Sequence, residues 1–247
     1  MKKLLIIILF LISVPYLFSF GGGNGTSASP YRISTKAHLE LLADSVNRIS
    51  NWSRGKYFKV MNNITEPVTT VIGASPRYFL GNFDGQNYAI TLAINRQRDD
   101  GVGLFGRLLD GATIKNVIVN GYVIGRNNVG GIVGGSNNSS ITNCINNASV
   151  SGSGFVGGIV GRSVYRSSIT NCMNIGNITG NGHVGGINGC GEGATITNCV
   201  NYGFVKGIDT GVGGINGHLD ATIKNCINTG VVEGKNASVT GPIQGAH

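Results

Sequence analysis

Between residues 101 and 247 the apolar positions fall in short, strand-length runs separated by glycine, asparagine and serine, and nowhere do they take helical spacing. The runs repeat. Val102-Gly103-Leu104-Phe105-Gly106 is followed by Gly-Gly-Ile-Val-Gly at 130–134 and 157–161, by Gly-Gly-Ile-Asn-Gly at 185–189 and 213–217, and by a divergent Gly241-Pro242-Ile243-Gln244-Gly245. Their central positions are 28, 27, 28, 28 and 28 residues apart. Behind each full element comes Ile-Lys-Asn-Val at 114–117, Ile-Thr-Asn-Cys at 141–144, 169–172 and 196–199, or Ile-Lys-Asn-Cys at 223–226. A third piece follows, an aliphatic residue with glycine two positions later, from Val123 and Gly125 to Val232 and Gly234.

A fixed period with three strand-length pieces per unit predicts an all-β fold, a parallel β-helix or solenoid with 27–28-residue turns. Residues 101–247 supply five full units and a C-terminal stub. Stacked turns lie ~4.8 Å apart, so each repeated position becomes a column along the axis. The Leu104-to-Ile243, Ile114-to-Ile223 and Val123-to-Val232 columns stay aliphatic and are assigned to the interior, whereas the Lys115, Thr142, Thr170, Thr197, Lys224 column accepts charge and must face water. Asn116, Asn143, Asn171, Asn198 and Asn225 do not vary, as expected of a structural ladder in which each side-chain amide bonds the next.

Strand alternation puts the residue after each buried aliphatic on the outside. That column begins Phe105, Val133, Val160 and continues with Asn188, Asn216 and Gln244. Its apolar half is a candidate contact strip, unless the loop near 95–100 covers it.

The segment 22–100 reads as an N-terminal cap with the first solenoid turns. Leu39, Leu41, Leu42 and Val46 give Lys36–Asn47 the apolar face of a short capping helix, with Ser34 or Thr35 as its N-cap. Asp84-Gly85 signals a turn between strands at 78–83 and 88–94. Ahead of this, Lys2 and Lys3 precede an uncharged apolar run from Leu4 to Phe20, which reads as a secretory signal peptide over residues 1–21, cut near Gly21 or at Ser19. No later segment is suited to spanning a membrane.

Composition sharpens the picture. Glycine is 41 of 247 residues and charged residues only 12%, yet 41% are hydrophobic, enough for a packed core. The net charge of +8 falls to +6 without the two leader lysines, and the basic residues are too scattered for a nucleic-acid groove. Cys144, Cys172, Cys199 and Cys226 share one column in which the first unit has Val117. An apolar slot is thereby marked, and buried thiols rather than disulfides are expected; Cys190 stands alone and is expected at the surface.

Units of this form resemble the GLUG-motif repeats of bacterial secreted and surface proteins. The likeness covers 101–245 and extends upstream through Ser29–Thr35, Lys36–Asn47, Tyr57–Val60 and Asn82–Ile90. It implies a bacterial secreted or cell-surface location. Such repeats are also an accessory module in immunoglobulin-A-cleaving metallopeptidases, but the His-Glu-x-x-His that carries their catalysis is missing here.

Between 111 and 247 the only acidic residues are Glu192, Asp209, Asp220 and Glu233, each at a different place in its unit, so no paired carboxylates are expected. No Gly-x-Ser-x-Gly occurs, and no His or Cys spacing suits zinc. The expectation is therefore a non-enzymatic repeat module for adhesion, binding or structure, without catalytic, cofactor or metal residues, whose ligand is a protein or glycan. The alternative is a carbohydrate-active enzyme, a polysaccharide lyase or hydrolase, on a β-helix. Pro242 in the terminal stub withholds a backbone N–H at the open carboxyl edge, which discourages end-to-end stacking, so a monomer is expected.

Overall fold

The computed structural model describes residues 19–209, 211–218 and 221–234, with the backbone of 237–238. The leader expected over 1–21 falls almost wholly outside the described residues, as do the stub at 241–245 and its Pro242. The described chain is a parallel β-solenoid of three faces. One sheet stacks Tyr31–Ile33, Tyr57–Val60, Asn82–Asp84, Thr113–Lys115, Ser140–Thr142, Ser168–Thr170, Thr195–Thr197 and Thr222–Lys224 in that order. A second, of four strands, stacks Phe105–Leu108, Val133–Asn137, Val160–Val164 and Asn188–Glu192. The remaining strands form the third and longest sheet.

Register follows the repeats residue by residue. Ile114, Ile141, Ile169 and Ile196 pair in one row, Val123, Val150, Ile178 and Val205 in another, and all eight are buried. Thr142 pairs with Lys115 and Thr170 on the outer side of the first sheet, where charge stays hydrated.

The amino-terminal turns are filled with rings. Phe20 lies 4.6 Å from Tyr31, Tyr31 stacks on Trp52 at 6.2 Å, and a run through Phe58 and Phe79 reaches Phe105, with centroids 5.8 and 5.0 Å apart. The helix spans Lys36–Arg48. Thr35 is its N-cap, its hydroxyl accepting from the His38 amide, and Leu39, Leu42, Ala43 and Val46 join the common core while Leu41 stays half-buried. The strand expected over 78–83 shortens to Asn82–Asp84, and its successor is Ala89–Arg96. These two strands pair with Thr113–Lys115 and Ile118–Gly125 of the next turn rather than with each other, so Asp84-Gly85 marks a solenoid corner.

One expectation is overturned. Phe105, Val133 and Val160 are fully buried, and Phe105 packs on Phe79 and Phe83 inside the core, so they are neither an exposed strip nor one lying under the 95–100 loop. Simple alternation fails because the chain bends at residues 131–132, between strands Asn127–Gly130 and Val133–Asn137: the amides of Ile132 and Val133 both donate to the Ile159 carbonyl, and those of Ile159 and Val160 both donate to Ile187. Across this bend consecutive side chains turn inward, while the turns stay paired residue for residue, Val133 on Val160 and Val160 on Asn188. The glycines before them permit the close approach; a Cβ on Gly158 would stand 2.3 Å from the Gly186 oxygen and 2.4 Å from Asn174 Oδ1.

Candidate functional site

Asparagine organises the inside and the corners of this molecule. Asn143 donates to Asn116, Asn171 to Asn143 and Asn198 to Asn171 at 3.2–3.3 Å, and Asn116 ends the row on Asp84 at 2.9 Å. All of these asparagines, and Asn225, have φ between 51° and 55°. Each therefore holds a left-handed corner that asparagine tolerates and most residues do not, a reason for invariance beyond the amide ladder. Burial alone would raise the Asp84 pKa, but bonds from Asn116 and Gln86 and the charge of Lys115 outweigh it and hold the carboxyl below its ordinary value.

A second asparagine ladder runs through the interior. Asn146, Asn174, Asn201 and Asn228 are joined Nδ2 to Oδ1 at 2.7 Å, and each Nδ2 also donates to the carbonyl two residues on, at 2.9–3.0 Å. The first three are completely buried. Their spacing of 28, 27 and 27, two residues after each column cysteine, was the available signal.

The cysteine column is buried at Cys144, Cys172, Cys199 and Cys226, and all five cysteines are thiols. Burial pushes the Cys172 thiol well up; bonding to Cys172, reinforced by burial, raises Cys199 to about 12. Cys190 is not at the surface: it is 1% exposed. It pairs in register with Arg162, and its Sγ lies 3.9 Å from Glu192 Oε1, so longer neighbours shield a short side chain.

Outward-facing chemistry gathers on the four-stranded sheet. Arg107, Gly135, Arg162 and Cys190 form one row and Asn137, Val164 and Glu192 the next. The face carries a groove of about 330 Å³ rimmed by Tyr78 and Tyr165. Arg162 is held by Glu192 at 2.6 Å and lies over the Phe155 ring at 5.4 Å. Phe155 in turn stacks on His183, which meets His218 edge-on at 4.8 Å. Burial, then the charge of His218, lowers the His183 pKa. Arg107 also borders a neighbouring basin of about 450 Å³ with Arg96, Arg98 and Arg126. There Arg126 grips Asp100 through two 2.9 Å bonds, which is the main reason the Asp100 pKa is lowered.

The other carboxylates are largely engaged as well: Asp44 with Arg48, Asp84 with Lys115, Asp110 with Arg54 and Glu233 with Lys206. Among the described residues no three His, Cys, Asp or Glu side chains converge as metal ligands, and no helix is long and apolar enough to cross a membrane.

No family model matches the chain, so its likeness to GLUG-motif proteins rests on the quoted repeats. The chain is 32% identical to Halomucin of Haloquadratum walsbyi over 134 residues, covering 47% of this chain and 1% of that protein. It is 30% identical over 114 residues to a protein of Evansella cellulosilytica provisionally described as a Gly-rich membrane protein, covering 42% and 12%. The chain thus matches only a small part of either relative. A crystal structure of a Bacteroides ovatus protein, provisionally titled an immunoglobulin A1 protease, superposes with a TM-score of 0.71 at 22% identity over 92% of this chain and 84% of that one. At that identity the likeness establishes the fold, a parallel β-helix.

Proposed function

We propose that this protein is a secreted or surface-displayed, non-enzymatic binding module that uses its solenoid as a rigid display surface. The observation that carries the reading is the arginine-lined groove on the four-stranded sheet, with aromatic rims and basic side chains that are not all neutralised by carboxylates. A stacked sheet fixes side chains in rows without mobile loops, which suits recognition of an extended ligand more than chemistry on a small one. The leader-like start, the GLUG-like repeats and the name of Halomucin agree with a location outside the cytoplasm.

The test applies purified protein, from Ser19 onward, to immobilised polysaccharides and mucin-type glycoproteins while released reducing ends and new amino termini are followed. Retention without product supports a binding module. Steady release of saccharide overturns it in favour of a polysaccharide lyase or hydrolase, and cleavage of the glycoprotein overturns it in favour of a protease.

A further inference from the structure

We propose that the outer face of the four-stranded sheet binds an anionic polysaccharide lying along the solenoid axis, with acidic groups seated on Arg107 and Arg162. The proposal rests on the binding-module reading and adds the class of ligand and its orientation.

Register places Gly135 directly between the two arginines, hydrogen-bonded to the strand of each. Gly135 leaves a notch: a Cβ there would meet nothing closer than 3.9 Å. Arg107 and Arg162 stand two strand spacings apart, ~9.6 Å, which is about the length of a disaccharide. An acidic group on alternate sugars therefore meets both arginines. Arg162 is already oriented by Glu192 and Phe155, so little freedom is lost when it binds. Tyr78 and Tyr165, 38% and 69% exposed, offer ring faces at the rim.

Charge points the same way. Groove and basin together hold five arginines against Asp99, Asp100 and Glu192, a surplus of two positive charges, and Arg107 borders both. An extended peptide fits less well. Its same-side groups recur at about 6.6 Å, and the backbone groups of these strands are already engaged turn to turn, leaving no edge within this face for strand addition.

The experiment measures binding of hyaluronan oligosaccharides, which carry one carboxylate per disaccharide, with dextran and single-stranded DNA of matched length as comparisons. Gly135→Glu adds a carboxylate at the notch, where a Cβ meets nothing closer than 3.9 Å, Arg107→Gln removes one seat, and Lys59→Gln removes a charge from the eight-stranded sheet. All variants are first checked for native burial of their thiols. The wild type is expected to bind hyaluronan and not dextran, with both groove variants weakened about tenfold or more and Lys59→Gln changed less than about twofold. Equal weakening by Lys59→Gln, unchanged binding by Gly135→Glu, or DNA bound as tightly as hyaluronan would overturn the assignment. Retention of neutral glycans or glycoproteins untouched by the groove variants would overturn it while leaving the binding module standing. Failure to retain any surface would remove both.

Discussion

The buried asparagine ladder allows a direct test of what holds the turns together. Asn174 is fully buried, donates to Asn201 Oδ1 at 2.7 Å and to the Gly176 carbonyl at 2.9 Å, and accepts from Asn146 Nδ2 at 2.7 Å. Asn174→Ala strands all three. Asn146 still reaches the Ala148 carbonyl and Asn201 still receives the Gly203 amide, but the Gly176 carbonyl loses its side-chain partner. At ~1–3 kcal/mol for an orphaned buried group and less for the two half-satisfied ones, the variant should lose roughly 3–5 kcal/mol. That is a large share of the stability of an ordinary domain. The comparison is Asn143→Gly in the exposed ladder, where water replaces bonds of 3.2–3.3 Å and glycine keeps the φ of 54°, so the expected loss is below about 1 kcal/mol. Urea unfolding followed by circular dichroism measures both. Equal losses would refute the view that burial, rather than the ladder as such, sets the energy.

All five thiols should resist iodoacetamide in the native protein, Cys190 included, and react together on unfolding; selective native labelling of Cys190 would contradict its burial. Phe20→Ala, or a chain begun at Gly21, removes a ring that contacts Tyr31, Trp52 and Phe58, and should cost about 2–4 kcal/mol, read as a lowered urea midpoint; an unchanged midpoint would show that the ring is dispensable. Were a leader removed on export, a cut after Ser19 would keep Phe20 and a cut just before Gly21 would lose it, a difference that the intact mass reads. The His38 and His183 pKa values are both lowered from 6.5, chiefly by burial, so the unfolded chain takes up protons first: stability is full above 6.5 and is lost as pH falls through 6.5 toward the folded-state values. Urea midpoints at about pH 7.5 and about pH 5.5 should differ in that direction, and the difference should shrink in the double variant His38→Gln, His183→Asn; an unchanged difference would assign it to other groups.

The repeat period alone determined that strands stack in parallel, which aliphatic columns fill the interior, and that four cysteines share one apolar slot, because in a solenoid the same local rule is applied at every turn. The capping helix was equally legible, since Thr35 and the spacing of Leu39, Leu42 and Val46 are local features. Tertiary structure decided the rest. Whether Phe105, Val133 and Val160 face in or out depends on the bend of the chain just before them at each corner, which no alternation pattern contains. Cys190 is covered by Arg162 of the preceding turn and by Glu192 two residues on, whereas its immediate neighbours in sequence are glycines. Asn146 and its equivalents are polar residues whose burial only stacking makes possible, since it pairs each amide with the next. The groove divides between the two: Arg107, Gly135 and Arg162 follow successive glycine elements 28 and 27 residues apart, so the repeat alone stacks them in one row, but the Tyr78 and Tyr165 rims and the Glu192 partner of Arg162 come together only in the fold.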